Sequence, residues 1–233
     1  MQQPERSRVD KGASLRAALF DLDGTLADTL EDIAAAVNSS LAAAGFAGHP
    51  AESYKLMVGN GFELLMRRAL PPSASLPQDR FEALYLDVTS RYAAASTVRT
   101  KPYDGIPAML SALVDAGITL AVLSNKPDAM VRTMVATLFP GVPFIEVHGE
   151  RPGVPKKPDP AAALEIARHA GIPAAQWFYL GDSGVDMRTA AAAGMLACGA
   201  LWGFRTAEEL SEAGASMLAA DPSDVLAVFG IRG

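Results

Sequence analysis

The sequence predicts an α/β protein in which a parallel sheet is covered by helices on both faces and an all-helical segment is inserted near its start. From about residue 97 onwards, short apolar runs alternate with segments of helical periodicity, a pattern that builds parallel sheets between two helix layers. An earlier apolar run at residues 15–20 stops at two acids, and no strand pattern occurs between Asp28 and about residue 97. The predicted divisions are a flexible N-terminal extension (1–14), a core (15–28 and 97–233) and a helical insertion (29–96).

Residues 15–20 are predicted to form the first strand, because this run is short, apolar and bounded by turn formers. Asp28 follows at a position where it can cap a helix, and Gly45 ends that helix. The insertion contains three predicted helices, at residues 29–44, 62–70 and 78–95.

The second half alternates regularly between the two kinds of element. Its predicted strands are residues 119–123, 144–148, 177–180 and 195–201. Its predicted helices are residues 106–116, 128–138, 161–170 and 185–193. Shorter segments at residues 208–213, 216–218 and 223–229 complete the alternation.

The net charge, the cysteine content and the lengths of the apolar runs exclude several classes of protein. The 233 residues carry a net charge of −6, which argues against nucleic acid and anionic membranes as partners. The single cysteine, Cys198, excludes an internal disulfide framework. No apolar run is long enough to span a bilayer, and residues 1–14 lack the apolar stretch of a signal peptide. We therefore expect a cytoplasmic protein that is a monomer or a homodimer.

Polar side chains follow several of the predicted strands or open the next helix. They are Asp21, Asp23, Ser124, Asn125, Lys157, Asp182 and Asp186. Each has an ordinary explanation by itself: an acidic turn, a helix cap or a solvated lysine. Because ligands bind at the carboxyl edge of an open parallel sheet, their repetition at successive strand ends favours one shared site.

The acids of this set indicate a metal ion. Four carboxylates cannot share a small site as anions without a divalent cation. Hard oxygen ligands from a few side chains, completed by a substrate phosphate, suit Mg²⁺. A lysine and a hydroxyl at the same edge could bind that phosphate.

The sequence resembles the haloacid dehalogenase-like phosphatases in four motifs, which occur in the family's order. The motifs are DLDGT at residues 21–25, SN at 124–125, KPDP at 157–160 and GDSGVD at 181–186. This resemblance implies a Rossmann-like core with the insertion as a helical cap domain. It also implies a Mg²⁺-dependent phosphomonoester hydrolase that acts on a small phosphorylated metabolite through an aspartyl-phosphate intermediate.

The resemblance also implies a role for each residue. Asp21 would be the nucleophile and Asp23 the general acid and base. Ser124, the Asn125 amide and Lys157 would hold the phosphoryl group. Mg²⁺ would be bound by the Asp21 carboxylate, the Asp23 carbonyl and Asp182. Asp186 would be the fourth residue of this metal site, where it would orient metal-bound water or Lys157.

A segment of the insertion resembles one subgroup of the family. Residues 58–61 read VGNG and are followed by a helix at residues 64–70, as in phosphoglycolate phosphatases. The implied reaction converts 2-phosphoglycolate to glycolate and phosphate. Asn60 and Arg67 are the candidate substrate contacts of this segment, although a turn residue and a solvated helix charge explain them equally well.

Other functions remain open at this point. A sugar phosphomutase would use the same aspartyl-phosphate, and the substrate could be another small phosphate ester or pyrophosphate. A dehalogenase is disfavoured because its chemistry does not require the second acid, Asp23. A binding module that kept only the fold is disfavoured by the intact set of acids and Lys157.

Overall fold

The computed structural model describes residues 14–74 and 76–231. Of the predicted N-terminal extension, only Ser14 lies within the described residues. Among the described helices, none has the combination of length and apolarity that a bilayer crossing requires.

The described residues form two sheets, whose strands are β1 (Ala17–Phe20), β2 (Ala27–Asp28), β3 (Lys101–Pro102), β4 (Thr119–Pro127), β5 (Phe144–Glu150), β6 (Trp177–Gly181), β7 (Leu196–Ala200) and β8 (Met217–Ala219). Six of them form a parallel sheet at the centre of the protein, in the order β5-β4-β1-β6-β7-β8. The two short strands β2 and β3 pair separately and are antiparallel.

Helices connect the strands and fill the insertion. They are α1 (Leu30–Ala43), α2 (Phe62–Ala69), α3 (Gln78–Ala95), α4 (Ile106–Asp115), α5 (Asp128–Leu138), α6 (Ala161–His169), α7 (Gly184–Ala193), α8 (Ala207–Glu212) and α9 (Pro222–Val228). Most predicted elements are recovered within one or two residues. The sequence did not predict the 3₁₀ helix Ala51–Leu56, and β4 continues past the expected end at Leu123 to Pro127.

Both faces of the sheet are buried, as predicted. All four residues of β1 are inaccessible to solvent. Ala18 and Phe20 belong to one apolar cluster, which includes side chains of α4, α5 and α9. Ala17 and Leu19 belong to a second cluster with α6 and α7. Alternate strand residues point to opposite faces, so helices on both sides account for this division.

The register of the sheet aligns the ends of the central strands. Phe20 of β1 is level with Val122 of β4 and Leu180 of β6. The Asp21 amide donates to the Leu180 carbonyl at 3.0 Å. Residues that follow these positions therefore lie at one carboxyl edge, where open parallel sheets bind ligands.

The insertion leaves and rejoins the core through β2 and β3, and its described residues between these strands contain only helices and loops. The buried carboxylate of Asp32 on α1 accepts hydrogen bonds from the amides of Arg99 and Thr100, at 2.9 Å each. These bonds close the base of the insertion. Its helices share an apolar cluster with the sheet, so the insertion packs directly over the core.

Candidate functional site

Lys157 contacts two acids that come from separate segments of the chain. Its ammonium lies 2.9 Å from Asp21 Oδ1 and 2.7 Å from Asp186 Oδ1, and it donates to the Leu123 carbonyl at 3.0 Å. Asp21, Lys157 and Asp186 are each at most 5% exposed as whole residues. The predicted convergence of Asp21, Lys157 and the acids after β6 is therefore present in the structure.

Local structure explains why Asp186 points at Lys157. Asp186 is the third residue of α7 and forms a capping box with Ser183, the reciprocal arrangement that satisfies free amides at a helix start. Its Oδ2 accepts from the Ser183 hydroxyl at 2.5 Å and from the Ser183 amide at 3.2 Å. Since Oδ1 is bonded to Lys157, both oxygens are engaged, and Asp186 is placed to orient the lysine.

Asn125 fixes the backbone that carries Lys157. Its side-chain oxygen accepts from the Lys157 amide at 2.9 Å. Its side-chain nitrogen donates to the Lys157 carbonyl at 3.0 Å and to the Gly59 carbonyl of the insertion at 3.1 Å. The substrate contact predicted for Asn125 uses its main-chain amide, so the side chain can position the Lys157 backbone. Ser124 is buried beside it and lines the same pocket.

Three acids lie close enough to share a cation. One carboxylate oxygen each from Asp21, Asp182 and Asp186 lies within 4.8 Å of the others. Asp21 Oδ1 is ion-paired with Lys157 at 2.9 Å and is buried without a further partner among the described residues. A buried carboxylate oxygen that can still accept a ligand, next to two other acids, fits a hard divalent cation. The Asp23 carboxylate lies outside this cluster, in keeping with its predicted contribution through the backbone carbonyl.

Burial and mutual repulsion set the charges of the cluster. Burial, followed by the charge of Asp186, raises the pKa of Asp21 to about 7 against the attraction of Lys157. Burial also raises the pKa of Asp182 well above its usual value, assisted by Asp186 and Asp21. Burial opposes the charge of Lys157, but Asp186 and Asp21 outweigh it and raise the lysine pKa. The protein alone thus holds a carboxylate site that lacks sufficient positive charge.

Close backbone packing holds Asp182 in place. Its Oδ2 accepts from the Phe204 amide at 2.7 Å. Gly24 lies against this carboxylate with a positive φ of 77°, and a Cβ there would overlap with it. Glycine is the residue that tolerates both the backbone angle and the contact, which explains the glycine of the first motif.

Lys126 also lies at the site, although its sequence position alone did not indicate a role. This lysine is 2% exposed, and its ammonium lies 2.6 Å from Asp23 Oδ1 and 2.6 Å from the Tyr92 hydroxyl on α3. Burial lowers the pKa of Lys126, although Asp23 opposes this effect. A lysine directly after Ser124-Asn125, at the end of an apolar strand, is the sequence signal that could have indicated it.

A partly enclosed pocket opens beside Asp21 and Asp23. Its polar wall contains Ser124, Asn125 and Lys126. The insertion supplies the apolar wall, which consists of Ile33, Val58, Phe62 and Leu65. A polar wall that faces an apolar wall suits a small ligand with one polar end.

The two predicted contacts of the insertion are placed differently. Asn60 lies between Gly59 and Gly61, which line the pocket. The structure does not bring Arg67 to the pocket: its guanidinium pairs with Glu63 at 2.8 Å and lies over the Phe81 ring at 4.2 Å. Arg67 is two residues from pocket-lining Leu65, about 200° around the helix. It therefore lies on the opposite face of α2.

Arg205 is a second residue of the site that was not predicted from the sequence. It follows β7 in the core, and its guanidinium donates to the carbonyls of Lys55 and Val58 in the insertion, at 2.9 Å for Val58. Its neighbour Phe204 donates to Asp182. Arg205 and Asn125 therefore hold the loop before α2 against the acid cluster.

Known proteins match this chain over most of its length. The family model for haloacid dehalogenase-like hydrolases matches residues 18–200. The phosphoglycolate phosphatase of Pseudomonas syringae pv. tomato is 34% identical over 205 residues, which are 87% of this chain and 75% of the relative. That of Pseudomonas fluorescens is 36% identical over 84% of this chain and 73% of its own length.

A solved structure extends the likeness to the fold. A Lactobacillus delbrueckii subsp. bulgaricus protein superimposes with a TM-score of 0.87 and 29% identity. The match covers 93% of this chain and 99% of the other. The architecture described above is therefore shared with a solved protein along nearly the whole chain.

Proposed function

Because this chain belongs to the haloacid dehalogenase-like hydrolases and is a phosphatase, we propose that it hydrolyses 2-phosphoglycolate to glycolate and phosphate in a Mg²⁺-dependent reaction. The observation that carries this proposal is the meeting of Asp21, Lys157 and Asp186 within 2.9 Å contacts around one ammonium. The relatives named phosphoglycolate phosphatase, at 34% and 36% identity, support the choice of substrate.

Asp21 is the proposed nucleophile. Its carboxylate attacks phosphorus as the bond to the leaving oxygen breaks, and the product is an aspartyl-phosphate. Lys157 and the Ser124 hydroxyl hold the phosphoryl oxygens, where charge redistributes in the transition state. Asp186 and the Asn125 side chain keep Lys157 in place through the bonds described above.

Asp23 handles the protons. Its carboxyl gives a proton to the leaving oxygen, and the resulting carboxylate accepts a proton from the water that hydrolyses the aspartyl-phosphate. Asp21 and Asp23 both line the pocket, so a substrate whose phosphorus faces Asp21 has its leaving oxygen near Asp23.

Asp21 and Asp182 would hold Mg²⁺, together with the Asp23 carbonyl. When bound, Mg²⁺ supplies the positive charge that the buried carboxylates and the incoming phosphate require. Asp186 is within reach of the same cluster, but its two oxygens are occupied by Lys157 and Ser183. We therefore assign Asp186 to the orientation of Lys157.

The insertion is the proposed cap domain, residues 29–96. It supplies the apolar wall of the pocket and excludes bulk water during the reaction. Asn60, beside the pocket, remains the proposed polar contact of the cap.

The test is the release of inorganic phosphate from 2-phosphoglycolate by the purified full chain, with and without Mg²⁺. We expect Mg²⁺-dependent release, and none from Asp21→Asn. An alcohol acceptor added to the reaction should receive a constant share of the phosphoryl group from any substrate, because all substrates pass through one aspartyl-phosphate.

Two results would contradict the proposal. A share that varies with the leaving group would argue against a common intermediate. A phosphate ester that is isomerised without net release of phosphate would instead identify a phosphomutase.

A further inference from the structure

The position of Lys126 is unusual for a lysine. It lies at the end of β4, is 2% exposed, and carries its ammonium into the space between the core and α3 of the insertion. Burying a charge in this way is unfavourable unless the charge is paired and hydrogen-bonded. The contacts of the ammonium therefore indicate what the residue does.

Three acceptors surround the three N–H groups of Lys126. Asp23 Oδ1 and the Tyr92 hydroxyl each lie at 2.6 Å, and the Met134 sulfur lies at 3.5 Å. An ammonium has three donors, so protein atoms occupy all of them. Lys126 thus has no donor left for a phosphate, in contrast to Lys157 at the acid cluster.

The contact with Lys126 distinguishes the two carboxylate oxygens of Asp23. Its Oδ1 is held by Lys126, and no residue within 14–74 or 76–231 donates to its Oδ2. The carboxyl therefore presents Oδ2 as the oxygen available for proton exchange. Tyr92, on α3, holds the lysine from the side of the insertion, so the cap contributes to this orientation.

We propose that Lys126, supported by Tyr92, is a positioning residue that orients the Asp23 carboxyl for proton transfer with the leaving group. The inference rests on the proposed function, since it presumes phosphoryl transfer to Asp21. In that step the Asp21 O–P bond forms, and the P–O bond to the leaving group breaks. The electron pair of that bond remains on the leaving oxygen, which takes the proton from Asp23.

The dependence on the leaving group separates positioning from a general structural role. The alkoxide released from 2-phosphoglycolate is a strong base and needs the proton as the bond breaks. The p-nitrophenolate released from p-nitrophenyl phosphate spreads its charge over the ring and needs little help. A misplaced Asp23 should therefore slow the alkyl substrate far more than the aryl substrate.

The test is Lys126→Met, which keeps an unbranched side chain one atom shorter than lysine and removes the ammonium. We measure kcat/KM for both substrates with Mg²⁺ present, because this quantity reports the steps through transfer to Asp21 and excludes later hydrolysis of the intermediate. General acid catalysis contributes about 10²- to 10⁴-fold. We expect a loss of roughly 10- to 100-fold for 2-phosphoglycolate, and of less than about threefold for p-nitrophenyl phosphate, when part of this contribution is lost. Equal losses on both substrates would overturn the inference.

A second background shows whether Lys126 acts through Asp23. In Asp23→Asn, adding Lys126→Met should leave the ratio of the two kcat/KM values unchanged, because the group that the lysine positions is already gone. A further change in that ratio would contradict the inference. Wild-type protein that hydrolyses neither substrate would instead refute the proposed function.

Tyr92→Phe provides an independent variant with the aromatic ring retained. It removes one acceptor of the ammonium, so we expect a smaller loss with the same preference for the alkyl substrate. This variant carries the test if Lys126→Met fails to fold. An unchanged ratio of kcat/KM values in Tyr92→Phe would remove Tyr92 from the positioning unit, and with Lys126→Met unfolded it would overturn the inference.

Discussion

Replacing Lys157 by methionine removes the one ammonium that Asp21 and Asp186 share. The lysine makes contacts of 2.9 and 2.7 Å to these carboxylates and donates to a carbonyl at 3.0 Å. Removing one partner of a buried ion pair destabilises a protein by about 3–5 kcal/mol. For a chain of this size each kcal/mol lowers Tm by roughly 2–4 °C. We therefore expect Tm to fall by roughly 6–20 °C without Mg²⁺, and by less with Mg²⁺ among the carboxylates.

The effect on the rate follows from the role of Lys157 as a donor to the phosphoryl group. Loss of one transition-state donor lowers kcat by about 10²- to 10³-fold, and we expect a loss of this order for 2-phosphoglycolate. The assay measures phosphate release under saturating Mg²⁺ at a temperature below the Tm of the variant. Thermal unfolding of the same sample separates lost catalysis from lost folding.

The matched control is Lys156→Met, which alters the neighbouring lysine of the same loop. Lys156 pairs with Glu150 at 3.1 Å, and both side chains are about one-third exposed. Such a pair contributes at most about 1 kcal/mol. We expect a small change in Tm and a rate within about threefold of wild type, since no donor to the phosphoryl group is lost. A large rate loss in Lys156→Met, with Lys157→Met near wild type, would refute the assignment.

Three further outcomes are expected. Asp21→Asn should abolish phosphate release from 2-phosphoglycolate while its Tm stays at or above that of wild type, because burial already raises the pKa of this carboxyl to about 7 and a neutral amide suits the site. Mg²⁺ should raise Tm more at pH 8 than at pH 5. The raised pKa of Asp21 stabilises the metal-free fold at low pH, and this contribution is lost as the pH rises through about 7. Above that pH the bound cation offsets the repulsion between the ionised carboxylates. Arg205→Gln should raise KM for 2-phosphoglycolate more than it lowers kcat, because it removes the bonds that hold the Lys55 and Val58 carbonyls over the site.

Each of these outcomes has a contrary result. Residual turnover near wild type in Asp21→Asn would exclude it as the nucleophile. An equal Tm shift with Mg²⁺ at both pH values would show that proton release from the acid cluster is not linked to cation binding. A kcat loss without a change in KM in Arg205→Gln would place Arg205 in the chemistry of the core instead of in closure of the insertion.

Strand ends were the most informative part of the sequence. Apolar runs that end at Phe20, Leu123 and Leu180 predict three strands. Chain continuity then places the polar residues that follow each run at the end of its strand. A parallel sheet then brings those ends to one edge whatever the order of its strands. The Asp21–Lys157–Asp186 cluster was therefore predictable from local pattern and topology.

Arg67 and Lys126 show where local pattern is insufficient. The segment around Arg67 was correctly predicted to be helical. Which face of this helix lines the pocket depends on how the helix packs on the core, and Leu65, not Arg67, lies on that face. Lys126 is adjacent to two predicted site residues, yet its role depends on a contact with Tyr92, 34 positions earlier in the chain. Neither fact is visible in periodicity, because each depends on a contact between distant segments.

The sequence alone thus determined the α/β class, the helical insertion and the set of acids at the strand ends, since these follow from patterns within a few residues. The tertiary structure decided which oxygens of those acids are free, which lysine pairs with which carboxylate, and how the insertion is held against the core by Arg205 and Asn125. These depend on distances of about 3 Å between groups far apart in the chain, and only the packed core sets such distances.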